Sequence, residues 1–214
     1  MKKSKTKLSL REALRVSRPF WWVNTAVPFF VGYLIGQPEP SLTLIIGTIY
    51  FAFMYNLFMY GVNDIYDYES DIKNPRKVGI EGSVMPKTKH HSLWLWIWAT
   101  NVPIWLYFFY IGNALSNVWL VFIIYMAFAY SLKGLRFKEI PVLDSFTSSF
   151  HYTSPFLFGL LLSESGYLWL PAYLTFYLWV MGNHAFGAIQ DITPDKEAGI
   201  GSIAVSFGAK KTIY

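Results

Sequence analysis

Six uncharged, apolar windows limit what this chain can become: residues 20–36, 42–62, 93–111, 118–132, 146–163 and 167–189. None contains Asp, Glu, Lys or Arg. A helix crossing a hydrocarbon core of roughly 30 Å needs about 20 such residues. Most of the six meet that length, and the shortest, 118–132, must borrow its flanks. Backbone groups in lipid must find partners within their own segment, so the windows are expected to be helices rather than strands or loops. Composition agrees, with 54% hydrophobic and only 14% charged residues, where soluble domains average about 25% charged. The expected fold class is all-α, a polytopic transmembrane helical bundle of six complete spans in the lipid bilayer.

The basic residues say which way it lies. All 18 Lys and Arg fall in four places. Seven are in the N-terminal tail, from Lys2 to Arg18, and five follow the second window: Lys73, Arg76, Lys77, Lys87 and Lys89. Lys133, Arg136 and Lys138 follow the fourth window, and Lys196, Lys210 and Lys211 follow the sixth. The intervening loops hold none. The positive-inside rule then puts the N-terminus and the even-numbered exits on the cytoplasmic side of the cell membrane. The pI near 9.2 is thus a topology signal and points to no nucleic-acid partner. With no cysteine in the chain, disulfides, thiolate metal sites and cysteine nucleophiles are excluded together.

Residues 1–18 lack a small-residue cleavage site and do not read as a signal peptide. Ser9-x-x-Glu12 matches a capping box. Leu10 and Leu14 share one face, with Arg11, Arg15 and Arg18 on an adjacent one. This is the pattern of an amphipathic helix lying on an anionic leaflet, broken at Arg18-Pro19. The remainder, 19–214, reads as one transmembrane domain.

The second window delivers Asn63-Asp64-Ile65-Tyr66-Asp67-Tyr68-Glu69-Ser70-Asp71. If the helix continues past Asn63, Asp64, Asp67 and Asp71 lie on one helical face. Three carboxylates so placed repel unless a cation sits among them. Mg²⁺ suits the role, since it prefers hard oxygen ligands shared between one or two carboxylates and substrate phosphates. The sixth window delivers Gln190-Asp191-Ile192-Thr193-Pro194-Asp195-Lys196. With Thr193 as cap and Pro194 at the first helical position, Asp191 and Asp195 would straddle a break. The two clusters leave spans of even number, so they share a membrane face. Nearby Lys73, Arg76, Lys133, Arg136, Lys138 and Lys196 could cradle a diphosphate. Metal neutralises charge developing on such a leaving group. Aromatic faces can stabilise the cation left behind. Asn24, a turn inside the first span, is a substrate-facing or interhelical amide. His151 and His184 have no second histidine at metal-ligand spacing and read as packing residues.

These residues resemble the UbiA superfamily of membrane prenyltransferases. Its N-D-x-x-D-x-x-x-D motif is matched by Asn63, Asp64, Asp67 and Asp71, and its D-x-x-x-D motif by Asp191 and Asp195, followed by Lys196, Ala198 and Gly199. Arg18-Pro19 and Tyr130-Ser131 with Lys133, Arg136 and Lys138 are similar to family features as well. The resemblance implies a helical bundle with a central cavity, an isoprenyl diphosphate donor, a hydrophobic acceptor and Mg²⁺. It gives Asp64, Asp67, Asp71, Asp191 and Asp195 to the metal and to catalysis. Asn63, Tyr130 and the basic residues go to the substrate. Lys73-Asn74-Pro75-Arg76, Phe150-His151-Tyr152 and Asp191-Ile192-Thr193-Pro194-Asp195 look like the carotenoid-elongating branch, which adds C5 units to lycopene. An aromatic or quinone-type acceptor is the alternative.

Family members usually have more spans. Residues 202–214 read as the start of a seventh helix, so the chain looks C-terminally short. A transporter, the rival class, would bury ionisable groups near mid-bilayer, whereas these six windows hold none. The Asp-Gly…Ala-Arg signature of phospholipid-forming phosphotransferases is not found.

Overall fold

The structure is a computed structural model that describes residues 7–72, 84–164, 169–199 and 201–213. Among them every regular element is helical. Each apolar window becomes a long helix: α2 (Val23–Gly36), α3 (Leu42–Ile49) running through a π turn into α4 (Tyr55–Tyr66), α6 (Lys87–Ile111), α7 (Ala114–Ser131), α8 (Leu143–Leu162) and α9 (Leu170–Ala188). Short helices α1 (Leu10–Val16), α5 (Tyr68–Asp71) and α10 (Ile192–Ala198) sit between or before them, and α11 (Ile203–Ile213) follows. The last of these fills the region expected to open a seventh helix, kinked at Gly208 (φ 76°). By length and apolar composition, Leu42–Tyr66 and α7 qualify as membrane spans. With 14 residues, α2 covers about 21 Å at 1.5 Å per residue, short of a full crossing. Polar residues dilute the hydropathy of α6 and α8: Lys87-Thr-Lys-His-His91 opens the first, and Ser145 to Ser154 line the second.

The capping box forms as expected: Glu12 N–H donates to Ser9 Oγ and Ser9 N–H to Glu12 Oε2. Arg18 then turns the chain in the left-handed region (φ 51°), and Pro19–Trp21 makes one 3₁₀ turn into α2.

Mid-way along the second long helix, Tyr50–Met54 widens into a π turn that the apolar pattern does not announce. A π turn frees carbonyls, which lipid would leave unsatisfied. Here buried polar side chains meet them. Phe51 O accepts from Thr25 Oγ1 at 2.6 Å and from Asn56 Nδ2 at 2.7 Å, and Met54 O accepts from Asn101 Nδ2 at 3.1 Å. The Thr25 hydroxyl and the Asn56 and Asn101 amides therefore pin three helices to one distortion.

Helix α8 is the hub, packed against α2, α7 and α9. Its crossing with α2 depends on two glycines. A Cβ at Gly32 would lie 2.2 Å from Phe156 O, and one at Gly159 would lie 2.7 Å from both Phe29 O and Tyr33 N. The backbones touch directly, the small-residue packing that apolar helices use when hydrophobic force between them is absent. Phe29, Phe51, Phe58, Phe108 and Phe158 fill the interior without exposure.

Candidate active site

One end of the bundle collects the charged groups. It holds the C-terminus of α4 with α5, the turn after α7, the start of α8, the end of α9 and the N-terminal α1. Lys89 of α6 pairs with Glu12 of α1, and Leu8 N–H donates to Ser92 Oγ. The Lys89 contact holds the Glu12 carboxyl at about 2, well below its ordinary 4.5.

The expectation that Asp64, Asp67 and Asp71 share one continuous helix needs correcting. Helix α4 ends at Tyr66, Asp67 leaves the helical region (φ −97°, ψ 2°), and α5 begins at Tyr68. Backbone hydrogen bonds nonetheless bridge the break, from Asp67 N to Asn63 O (2.9 Å) and from Asp71 N to Asp67 O (2.8 Å). The three carboxylates are all buried, at 1%, 6% and 6% exposure.

Buried carboxylates demand cations or donors. Arg18 Nη2 donates to Asp64 Oδ1 at 2.9 Å, while its guanidinium stacks 4.1 Å above the Tyr60 ring. Arg18 makes this pair from its left-handed conformation, where the chain turns between α1 and α2. Asp67 accepts from Asn63 Nδ2 at 2.8 Å and pairs with Lys138 Nζ and, at 3.4 Å, with Arg136 Nη2. Asn63 also donates to Ser131 Oγ (3.1 Å), joining α4 to α7. Arg136, itself left-handed (φ 43°), is clamped by Glu139. That contact raises the Arg136 pKa and lowers that of Glu139.

Beneath this charged layer lies a ring of tyrosines. Tyr60 and Tyr152 share a hydrogen bond at 3.1 Å. Lys138 Nζ sits 5.9 Å above the Tyr130 ring. Tyr130 meets His151 edge-on with centroids 5.4 Å apart, and His151 Nδ1 bonds the Tyr55 hydroxyl at 2.9 Å.

The second cluster is built differently from the expectation. Ile189–Asp191 is a 3₁₀ turn, and Asp191 rather than Thr193 occupies the N-cap position of α10, so Pro194 stands at the third helical position. Asp195 Oδ2 accepts from Ser202 Oγ at 2.8 Å. Between the clusters stands Asp144, 2% exposed. Its two oxygens accept from Ser145 N (2.7 Å) and Ile203 N (2.9 Å), tying α8 to α11. His184 Nδ1 bonds Ser145 Oγ at 3.1 Å. Tyr130 lies in the field of both Asp67 and Asp144, and His184 in that of both Asp144 and Asp191. A polar row therefore runs from the first cluster to the second.

Of the other expected site residues, Asn24 is half-buried in the first turn of α2, and Lys133 and Lys196 are exposed. Lys73 and Arg76 lie outside the described residues. Asp144, Tyr60, Tyr152 and Tyr55 were not foreseen. Asp144 had a usable signal, as the only acid between Glu139 and Glu164, immediately before an uncharged window. The tyrosines had none among 15 in the chain.

Among the described residues no three acids or histidines gather into a metal cage. The donor set still suits Mg²⁺: hard carboxylate oxygens, few per site, as expected for an ion whose shell is completed by phosphate oxygens and water. Elsewhere, an apolar cavity of about 500 Å³ lies between α7, α8 and α9, lined by Trp119, Phe150, Tyr173 and Tyr177 among others. It has no group that could hold a diphosphate.

A family model described as the UbiA prenyltransferase family matches residues 25–214. The C(50) beta-cyclic carotenoids biosynthesis protein LbtBC of Dietzia sp. is 44% identical over 201 residues, which are 92% of this chain and 46% of that protein. Lycopene elongase/hydratase of Corynebacterium glutamicum is 44% identical over 208 residues, 95% of this chain and 72% of that protein. The chain thus spans less than half of the first relative and about seven-tenths of the second. A solved UbiA homolog from Archaeoglobus fulgidus, bound to DMAPP and Mg²⁺, superposes with a TM-score of 0.77 at 22% identity, covering 94% of this chain and 70% of that one. At that identity the likeness establishes the fold.

Proposed function

Because this chain belongs to the UbiA prenyltransferase family, we propose that it moves an isoprenyl group from an allylic diphosphate to a hydrophobic acceptor, adding C5 units to a lycopene-type carotenoid. The observation that carries the reading is the layering at one end of the bundle. Buried carboxylates paired with mobile-length cations lie directly above a tyrosine ring, which in turn lies above an apolar interior. That order matches a substrate with a charged head, a reacting allylic carbon and a greasy tail.

In this reading the aspartates Asp64, Asp67, Asp71, Asp191 and Asp195 hold Mg²⁺, on the cytoplasmic face given by the basic loops. Bound Mg²⁺ would supply charge neutralisation to the departing diphosphate. Lys138 and Arg136, now on Asp67, are placed to turn towards phosphate oxygens, with Lys133, Lys196, Lys73 and Arg76 adding positive charge around the head. Asn63 fixes the Asp67 carboxylate between α4 and α7. The C–O bond breaks with its electron pair leaving on the diphosphate, and the allylic cation faces Tyr60, Tyr130 and Tyr152, whose ring quadrupoles stabilise it and whose packing keeps water out. The acceptor's π electrons then form the new C–C bond. Asn24, near the entry of α2, lines the approach.

The test is to incubate membranes carrying the protein with labelled dimethylallyl diphosphate and lycopene, with and without Mg²⁺, and to extract the lipids. Label in an elongated carotenoid, lost on chelation, is expected. Label in a quinone-type or aromatic lipid would assign the other acceptor class, and no Mg²⁺-dependent transfer would overturn the reading.

A further inference from the structure

Bond formation between an allylic cation and an alkene leaves a new cation on the acceptor, which must lose a proton or be captured by water. Resting on the function proposed above, we infer that His151 Nε2 is the base that takes this proton. His151 lies in α8 and is 2% exposed. Its Nε2 has no hydrogen-bond partner among the described residues. Buried polar atoms are nearly always paired, and an exception calls for a role. Here the unpaired atom belongs to a ring set among the tyrosines below the charged layer, between Tyr55 and Tyr130. The Tyr130 ring, edge-on at 5.4 Å, separates the imidazole from Lys138 and Asp67.

Competing bases nearby are engaged. Asp64 and Asp67 are paired with cations. Both Asp144 oxygens accept backbone N–H groups. The Tyr60 and Tyr152 hydroxyls bond each other.

The second ring nitrogen supports the assignment. Nδ1 lies 2.9 Å from the Tyr55 hydroxyl. With Nδ1–H donating to Tyr55 Oη, the lone pair is left on Nε2. The Tyr55 proton can then turn towards Ser154 Oγ, buried beside it. In that arrangement Tyr55 is a positioning residue that holds the ring with its basic nitrogen free. In the step itself, the C–H bond next to the acceptor cation breaks and its electron pair forms the new C=C. The proton moves to Nε2, giving an imidazolium. When no base is in place, water adds to the cation and the product is an alcohol.

The experiment compares wild type with His151→Phe and Tyr55→Phe in membranes given dimethylallyl diphosphate and lycopene. It measures both diphosphate release and the alkene-to-alcohol ratio of the products by mass. The expectation for His151→Phe is a ratio lowered about tenfold or more, in line with the loss of a positioned base, with diphosphate release changed far less. Tyr55→Phe should move the ratio the same way by a smaller factor. An unchanged ratio, or release and both products falling in parallel as for a packing residue, overturns the inference. If His151→Phe is not recovered in membranes, an unchanged ratio in Tyr55→Phe does so instead. Absence of any prenylated product from wild type would strike the function rather than the base.

Discussion

The direct backbone contact between α2 and α8 makes one substitution harmful at one glycine and helpful at another. Replacing Gly by Ala inside a helix normally stabilises it by about 1 kcal/mol. At Gly32 the new Cβ would stand 2.2 Å from Phe156 O. Carbon and oxygen in ordinary contact are more than an ångström further apart than this, and the obstacle is backbone, which has no rotamer to yield. The two helices must separate along their crossing, an overpacking strain that costs about 1–3 kcal/mol or more. Set against the propensity gain, Gly32→Ala should destabilise by about 1 kcal/mol or more, which for a chain of this size lowers Tm by at least roughly 2–4 °C. Gly159→Ala should behave likewise. Gly182 in α9, with nothing within 4 Å of its built Cβ, is the control, and Gly182→Ala should raise Tm by a degree or more. The assay is thermal unfolding of detergent-purified protein followed by aggregation or intrinsic tryptophan fluorescence. Equal shifts at Gly32 and Gly182 would refute the close crossing.

Three more outcomes follow from the charged end. Lys138→Ala removes a charge-assisted partner of the diphosphate, worth about 1.5–3 kcal/mol, and should raise the donor KM at least about tenfold with a smaller change in kcat. Tyr130→Leu keeps bulk but loses the ring face. At about 1–2 kcal/mol for a desolvated cation–π contact, it should lower kcat about 5–30-fold while leaving donor KM nearly unchanged. The Glu12 carboxyl, held at about 2 by Lys89 instead of 4.5, contributes to docking of α1 fully above pH 4.5, and that contribution is lost as pH falls towards 2. Protease access to the α1 segment should rise over that interval in wild type and lose this pH dependence in Glu12→Gln.

The helical class and the position of each long helix were legible because lipid leaves the backbone few options, and an uncharged run of sufficient length has to be a helix. The capping box at Ser9 and the break at Arg18-Pro19 were legible for a similar reason, since both are local backbone chemistry. The π turn at Tyr50–Met54 was not. It depends on Thr25, Asn56 and Asn101 meeting in space, and three separate windows give no hint of that. The end of α4 at Asp67 was also hidden, because Asn63, Lys138 and Arg136 hold that carboxylate from two directions and tertiary pairing outweighs a continuous helix. The acidic clusters stood out because carboxylates are rare here and end apolar spans. Asp144 was passed over because a lone acid beside a span resembles a solvated flank, whereas in the fold it is buried and caps the backbone of α11.

The central claim is that both acidic clusters serve one metal-diphosphate site. Calorimetric titration of the purified protein with dimethylallyl diphosphate, with and without Mg²⁺, tests it most directly when repeated on Asp67→Asn and Asp191→Asn. The account predicts binding to wild type only with Mg²⁺, and a loss of at least about tenfold in either variant, since each removes a charged ligand. Binding to Asp191→Asn indistinguishable from wild type would separate the clusters and contradict it.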